Sequence, residues 1–236
     1  LIGIDQILRL PLMPLLLAQA LWVRRRAQLL PEPPGPRSGT SGQGPRLRLL
    51  IIGDSSGAGV GAASQDQALS GQLVSRLADR YQVTWRLEAR TGNTTPDMTR
   101  QLASMPPETF DCAVVALGVN DVTRATTKVQ FVSHQTALFD LLKSRFRVRQ
   151  ILCTGVPPLQ HFPLLPQPLA WTLGRHAARL DSGLVQLAHR NEGVSHLPLV
   201  LPRNPDMAAQ DGFHPSPKAY AIWAENLARN ILSQEL

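Results

Sequence analysis

From Leu47 onward the sequence alternates between two hydrophobic periods, and that alternation restricts the fold more than any other feature. Short continuous apolar runs such as LRLLII (47–52) and DCAVVALG (111–118) run into or end at glycine. Runs of this length, apolar on both parities, suit strands buried on both faces of a sheet. QVTWRL (82–87), RQILCTG (149–155) and VSHLPLVL (194–201) read as three further strands, with Pro198 counting against the last. Between these runs the period lengthens. QALSGQLVSRLADR (67–80) sets Leu69, Leu73 and Leu77 on one helical stripe. TPDMTRQLASM (95–105) opens with a capping threonine and a first-turn proline. Helices are also predicted over 126–145, 171–190 and 215–232, with Gly174 and Gly183 weakening the second of these. Strands alternating with helices imply a mostly parallel, five-stranded central sheet with helices on both faces, a three-layer α/β/α sandwich. Ligands of such sheets sit at the carboxyl ends of the strands, which directs attention to the loops there.

The first 46 residues stand apart from this pattern, as a front segment ahead of a domain over 47–236. Of the formal charge of +7 carried by the 236-residue chain, +5 lies within residues 1–48, from seven arginines against Asp5 and Glu32. The remainder is close to balanced, so the charge does not point to a nucleic-acid partner. Residues 10–23 (LPLMPLLLAQALWV) are apolar apart from Gln19, and Arg24–Arg26 follow at once. As a helix these fourteen residues would span about 21 Å, short of a hydrocarbon core of roughly 30 Å. Pro11 and Pro14 make the start of the run a poor helix interior. Three readings stay open: a signal peptide, an anchor in a lipid interface through residues 10–26, or a helix docked on the body or on a second subunit. The arginines follow the apolar run instead of preceding it. This favours a cytoplasmic or peripheral membrane-associated protein over a secreted one. PEPPGPRSGTSGQGP (31–45) reads as a linker or surface loop.

Four loops carry chemically suggestive residues. Gly53-Asp54-Ser55-Ser56 follows the first strand, where a serine at a strand-to-helix turn exposes its hydroxyl beside unpaired helix-start amides. Its bland reading is a helix cap. The glycines that follow lack the spacing of a phosphate loop or dinucleotide fingerprint. Gly92 follows the second strand and can present its N–H to a ligand, although most loop glycines serve only turns. Asn120 follows the third strand and carries an amide donor, or else makes an Asx turn. Asp211-Gly212-Phe213-His214-Pro215 precedes the last helix. There an imidazole could act as base, with an acid three residues earlier to orient it. Asp54 and Asp121 are expected to hold backbone groups in these loops. Cys112 and Cys153 fall inside buried strands and read as free structural thiols. The other histidines read as surface or capping residues without metal-ligand spacing, and no cofactor or metal is expected.

Taken together, LLIIGDSSGAGVG, ARTGNTT, LGVND and DGFHPSPKAYAIWA resemble the sequence blocks of the SGNH (GDSL-type) hydrolase family, over about residues 47–232. The fourth position of the first block is Ser56 where the family pattern has leucine, at a position without a catalytic role in the family. The resemblance implies the SGNH-hydrolase version of a flavodoxin-like α/β fold. It implies Ser55 as nucleophile, His214 as general base and acid, and Asp211 as the group orienting His214. It also implies an oxyanion hole made of the Ser55 and Gly92 N–H groups and the Asn120 amide.

The implied reaction is hydrolysis of a carboxylic ester through an acyl-enzyme, with a small-molecule acyl ester as partner. Leu159 and Phe162, in the Pro-rich loop 156–168, are candidate walls of an acyl pocket. They favour short- to medium-chain acyl esters over a sugar. A carbohydrate O-acetyl esterase is the alternative enzyme, and its open aromatic cleft is poorly served by 5% aromatic residues. A non-catalytic domain tethered to a membrane or partner is the third reading, and it predicts the loss of a catalytic residue.

Overall fold

The computed structural model describes residues 3–233. Its middle layer is a six-stranded sheet made of β1 (Ser38–Ser41), β2 (Arg46–Gly53), β3 (Gln82–Ala89), β4 (Cys112–Ala116), β5 (Gln150–Thr154) and β6 (Val194–Leu197). The strand order is β1-β3-β2-β4-β5-β6. The five strands read from the sequence pair in parallel. The sixth, β1, pairs antiparallel with β3 at the edge and comes from the stretch read as a linker. Its sequence is Ser-Gly-Thr-Ser, exposed throughout. An edge strand needs only backbone partners, so no apolar pattern announces it. The rest of that stretch is also attached to the body, because the Pro33 and Pro34 carbonyls accept hydrogen bonds from Gln65. The boundary expected at 46/47 is therefore bridged by contacts on both sides.

Strand periodicity builds the two faces. In β2, Leu47, Leu49 and Ile51 enter one core while Leu50 and Ile52 enter the other. The first core is closed by α3 (Leu69–Leu77) and α8 (Pro217–Leu232). The second lies under α4 (Thr95–Ser104), α6 (Lys128–Arg145) and α7 (Leu169–His189). Gly174 and Gly183 do not break α7. A side chain at either would collide with Gln160 or with Val132 and Lys128, so both glycines sit where neighbours press closely on the helix. Cys112 and Cys153 are free and buried, and burial pushes both thiols upward.

Two elements differ from expectation in ways that matter for function. β6 stops at Leu197, not at 201, because Pro198 has no N–H to offer the ladder. The front helix α1 runs unbroken from Ile4 to Arg26 with Pro11 and Pro14 inside it. It starts well before residue 10, and by length and composition it is apolar enough to cross a membrane. In the structure it lies along α7. Asp5 pairs with Arg179 at 2.6 Å. The Gln19 side chain donates to the Gln167 carbonyl at 2.6 Å and accepts from the Leu169 N–H at 3.0 Å. Leu16 is buried in the second core.

Candidate active site

The site lies where the chain changes direction across the sheet. From β2 it moves to β3 on one side and then to β4 on the other, so the carboxyl ends of these three adjacent strands frame a crevice. Each strand end contributes one residue singled out in the sequence. Ser55 opens the four-residue helix α2 (Ser55–Ala58) directly after β2. The carboxylate of Asp54 caps that helix by accepting the Ser56 N–H at 2.9 Å. Gly92 lies in the turn after β3 with φ +85°, the left-handed region. A Cβ there would meet no atom within 4 Å, so the turn itself, and not crowding, calls for glycine. Asn120 sits in the first turn of α5 (Val119–Thr123) after β4. Its side-chain amide donates to the Asn93 carbonyl at 3.0 Å, which aims it at the Gly92 turn and leaves its second N–H for another acceptor.

His214 reaches the crevice from the loop before α8. Its Nε2 accepts from the Ser55 hydroxyl at 2.9 Å, and its Nδ1 donates to the Asp211 carboxylate at 2.5 Å. The other Asp211 oxygen accepts the Phe213 and His214 backbone N–H groups, both at 3.0 Å. Burial alone would raise the Asp211 carboxyl. The hydrogen bonds from the His214 ring and from those two amides outweigh burial and hold the group below the ordinary aspartate range. An ionised Asp211 fixes the proton on Nδ1 and leaves Nε2 as the acceptor facing Ser55. The loop is itself braced by the Ala209 N–H, which donates to the His214 carbonyl at 2.8 Å, and the Tyr220 hydroxyl in α8 donates to the Val60 carbonyl at 2.7 Å, tying α8 to the stretch after α2.

Two further carboxylates complete the surroundings. Asp54 is buried, and this desolvation, only partly offset by the Ser56 N–H and the nearby His214, pushes it up to about 6. Asp121 is lifted by burial as well; it accepts the Thr95 N–H and hydroxyl, each at 3.1 Å, and so ties α5 to the start of α4. Both hold backbone groups, as their positions beside the motifs suggested.

Beside His214 opens a cavity of about 660 Å³. Phe162 lines one wall and packs edge-on against Phe213, which packs edge-on against the His214 ring. Leu159 does not line it. It begins a single helical turn packed on α7 and is wholly buried in the core. The lining also includes Leu199–Pro202 and Met207, which the sequence reading missed. Their signal was Pro198, which releases an apolar stretch from the sheet and turns it toward the cavity. Glu32 was missed too. It leaves the front segment to accept the Thr91 N–H at 2.7 Å and the Thr91 hydroxyl at 2.9 Å, immediately before Gly92. Two histidines read as surface or capping residues have other settings: His176 is buried, and the half-buried His196 pairs with Asp181 at 2.8 Å. Among the described residues no group of three or more His, Cys, Asp or Glu could hold a metal ion.

An α/β/α sandwich with a hydrogen-bonded Ser–His–Asp chain at this crevice has the architecture of the SGNH hydrolases. The chain belongs to the GDSL-like Lipase/Acylhydrolase family, whose family model matches residues 51–222. It is 30% identical over 210 residues to the GDSL-like esterase Rv1075c of Mycobacterium tuberculosis, covering 80% of this chain and 64% of that protein. The chain therefore spans a little under two thirds of that relative's length. Among solved structures it is similar in fold to a carbohydrate esterase family 2 enzyme of Corynascus thermopiles (Myceliophthora fergusii) with its carbohydrate-binding domain. That match has a TM-score of 0.66 at 16% identity over 82% of this chain and 68% of the other. It is similar as well to the psychrotrophic esterase EstA of Pseudoalteromonas, with a TM-score of 0.58 at 18% identity over 79% and 97% of the two chains.

Proposed function

We propose that the protein hydrolyses carboxylic esters with short- to medium-length acyl chains through an acyl-enzyme on Ser55. The observation that carries the reading is the continuous hydrogen-bond chain from Ser55 through His214 to Asp211. In the first half-reaction Ser55 Oγ attacks the ester carbonyl carbon and its proton passes to His214 Nε2. Asp211 holds the ring and stabilises the imidazolium that forms. The carbonyl oxygen becomes an oxyanion within reach of the Ser55 and Gly92 N–H groups and the Asn120 amide. These donors are fixed before the charge develops, which is what gives them their value in the transition state. Collapse of the intermediate expels the alcohol, which takes the proton from Nε2. In the second half-reaction water attacks the acyl-enzyme, His214 again receives and returns the proton, and the acid leaves.

The cavity supports an acyl chain over a sugar. Most of its lining side chains are apolar, with prolines, Leu199, Val200, Leu201 and Met207 joined by Phe162, Phe213 and Trp223, and a cavity of about 660 Å³ is in the usual range for a small-molecule site. An acetyl group by itself would fill only a small part of that volume. A series of p-nitrophenyl esters from acetate to dodecanoate tests the assignment. The expected kcat/KM rises from acetate to a maximum at medium length; a maximum at acetate would overturn it.

A further inference from the structure

Helix α1 is amphipathic the wrong way round for a helix facing water. The side chains it turns toward the body, fully or in part, are Asp5, Arg9, Leu12, Leu16, Gln19 and Val23, a stripe at three- and four-residue spacing that is half polar. Asp5 and Gln19 are spent on α7 and the loop before it, in the contacts given above. Every other residue between Ile4 and Trp22 is exposed, and among those only Gln6 is polar. Leu10 is 78% exposed, and Ile7, Leu17 and Leu21 are each more than half exposed. A surface helix of a protein surrounded by water places these residue types in the opposite arrangement.

The end of the helix states what covers this face. Arg24, Arg25 and Arg26 are exposed at its C-terminus, with the Arg26 guanidinium 5.1 Å from the centre of the exposed Trp22 ring. An apolar face, a tryptophan at its border and a cationic cluster just beyond are complementary to the layers of an anionic bilayer: acyl chains, interface and headgroups. Although α1 is long enough to span, its polar stripe is engaged with the body, so the helix lies in the plane of the surface and does not cross it.

We propose that α1 docks the protein onto an anionic lipid surface, with its exposed apolar face in the acyl region and Arg24–Arg26 among the headgroups. The loop from β5 to α7 walls the cavity at Phe162 and ends at the Gln167 and Leu169 contacts of Gln19, so docking brings that loop beside the bilayer. The proposal does not depend on the esterase reading, and its test does not use turnover.

The full chain is sedimented with vesicles of phosphatidylcholine and phosphatidylglycerol (3:1), with pure phosphatidylcholine vesicles, and alone. It is expected to pellet with the anionic vesicles and to be released by an alkaline carbonate wash. Replacing all three arginines (Arg24→Gln, Arg25→Gln, Arg26→Gln) is expected to weaken binding on the order of 100-fold. Leu17→Gln with Leu21→Gln, on the opposite part of the face, is expected to weaken it independently, which guards against a folding defect in the arginine variant. The proposal is overturned if the chain stays in the supernatant with anionic vesicles. It is overturned too if the chain doubles its mass by light scattering without binding vesicles, since a second copy then covers the face. Retention through the carbonate wash, the mark of a spanning helix, overturns it as well.

Discussion

Helices α1 and α8 are both long and largely apolar, yet they are built for different surroundings. In α8, Tyr220, Trp223, Leu227 and Ile231 point into the core, while Lys218 and Arg229 face water. In α1 the charged Asp5 faces the body, and leucines and isoleucines face out. The difference teaches that apolar content alone does not tell a core element from a surface one; the side on which the polar residues sit does. It also divides the molecule into a body with a buried core and a front helix whose apolar surface the chain leaves uncovered.

If the division is right, the chemistry can be removed without touching the front helix. Ser55→Ala should lower kcat on the order of 10⁴- to 10⁶-fold while leaving vesicle binding unchanged, measured by ester turnover and co-sedimentation on the same preparation. A parallel loss of vesicle binding would break the comparison. Asn120→Ala should lower kcat by about 100- to 1,000-fold with little change in KM, as expected of a donor that meets the substrate oxygen only as charge develops. A rise in KM alone would make Asn120 a substrate-binding group.

The helices themselves give a stability contrast. Leu227→Ala empties a fully buried site in α8 and should cost about 2–5 kcal/mol by urea unfolding. Leu17→Ala in α1 should stay within about 0.5 kcal/mol in lipid-free buffer. Equal costs would mean that α1 is held as a core helix.

A pH experiment separates the buried carboxylates of the body. Asp54 is pushed up to about 6, so the folded protein binds its proton more tightly than the unfolded chain does. Ionising it therefore costs stability as pH rises from about 4 to 6, by up to roughly 3 kcal/mol. Asp211 lies below the ordinary range and has the opposite sign, contributing stability that is lost as pH falls through its folded value. Relative to Asp54→Asn, the wild type should lose stability between pH 4 and 6.5 in unfolding titrations. A flat difference would refute the buried, proton-binding state of Asp54.

The five parallel strands and the residues around Ser55, Gly92, Asn120 and His214 were legible because both rest on local rules. A buried strand needs a continuous apolar run, and a residue at a strand–helix junction lies at the active edge of the sheet whatever the distant packing. What escaped depends on partners far along the chain. β1 borrows its order from β3 and has no hydrophobic signature. Glu32 meets Thr91 across 59 residues of chain, a contact no local pattern announces. Leu159 and Phe162 look alike in sequence, yet one turn of helix sends the first into the core and leaves the second on the cavity wall. The sequence left three readings of α1 open, because periodicity reveals a stripe but not the direction in which it points.

The central claim, a covalent acyl-enzyme on Ser55, is tested most directly by trapping. The protein is treated with a p-nitrophenyl alkylphosphonate, which leaves a tetrahedral phosphonyl group on an activated serine, and is read by intact mass and peptide mapping. The expected result is one adduct per chain, mapped to Ser55 and absent from His214→Ala on the same timescale. An adduct on the neighbouring Ser56, or none at all, would contradict the account.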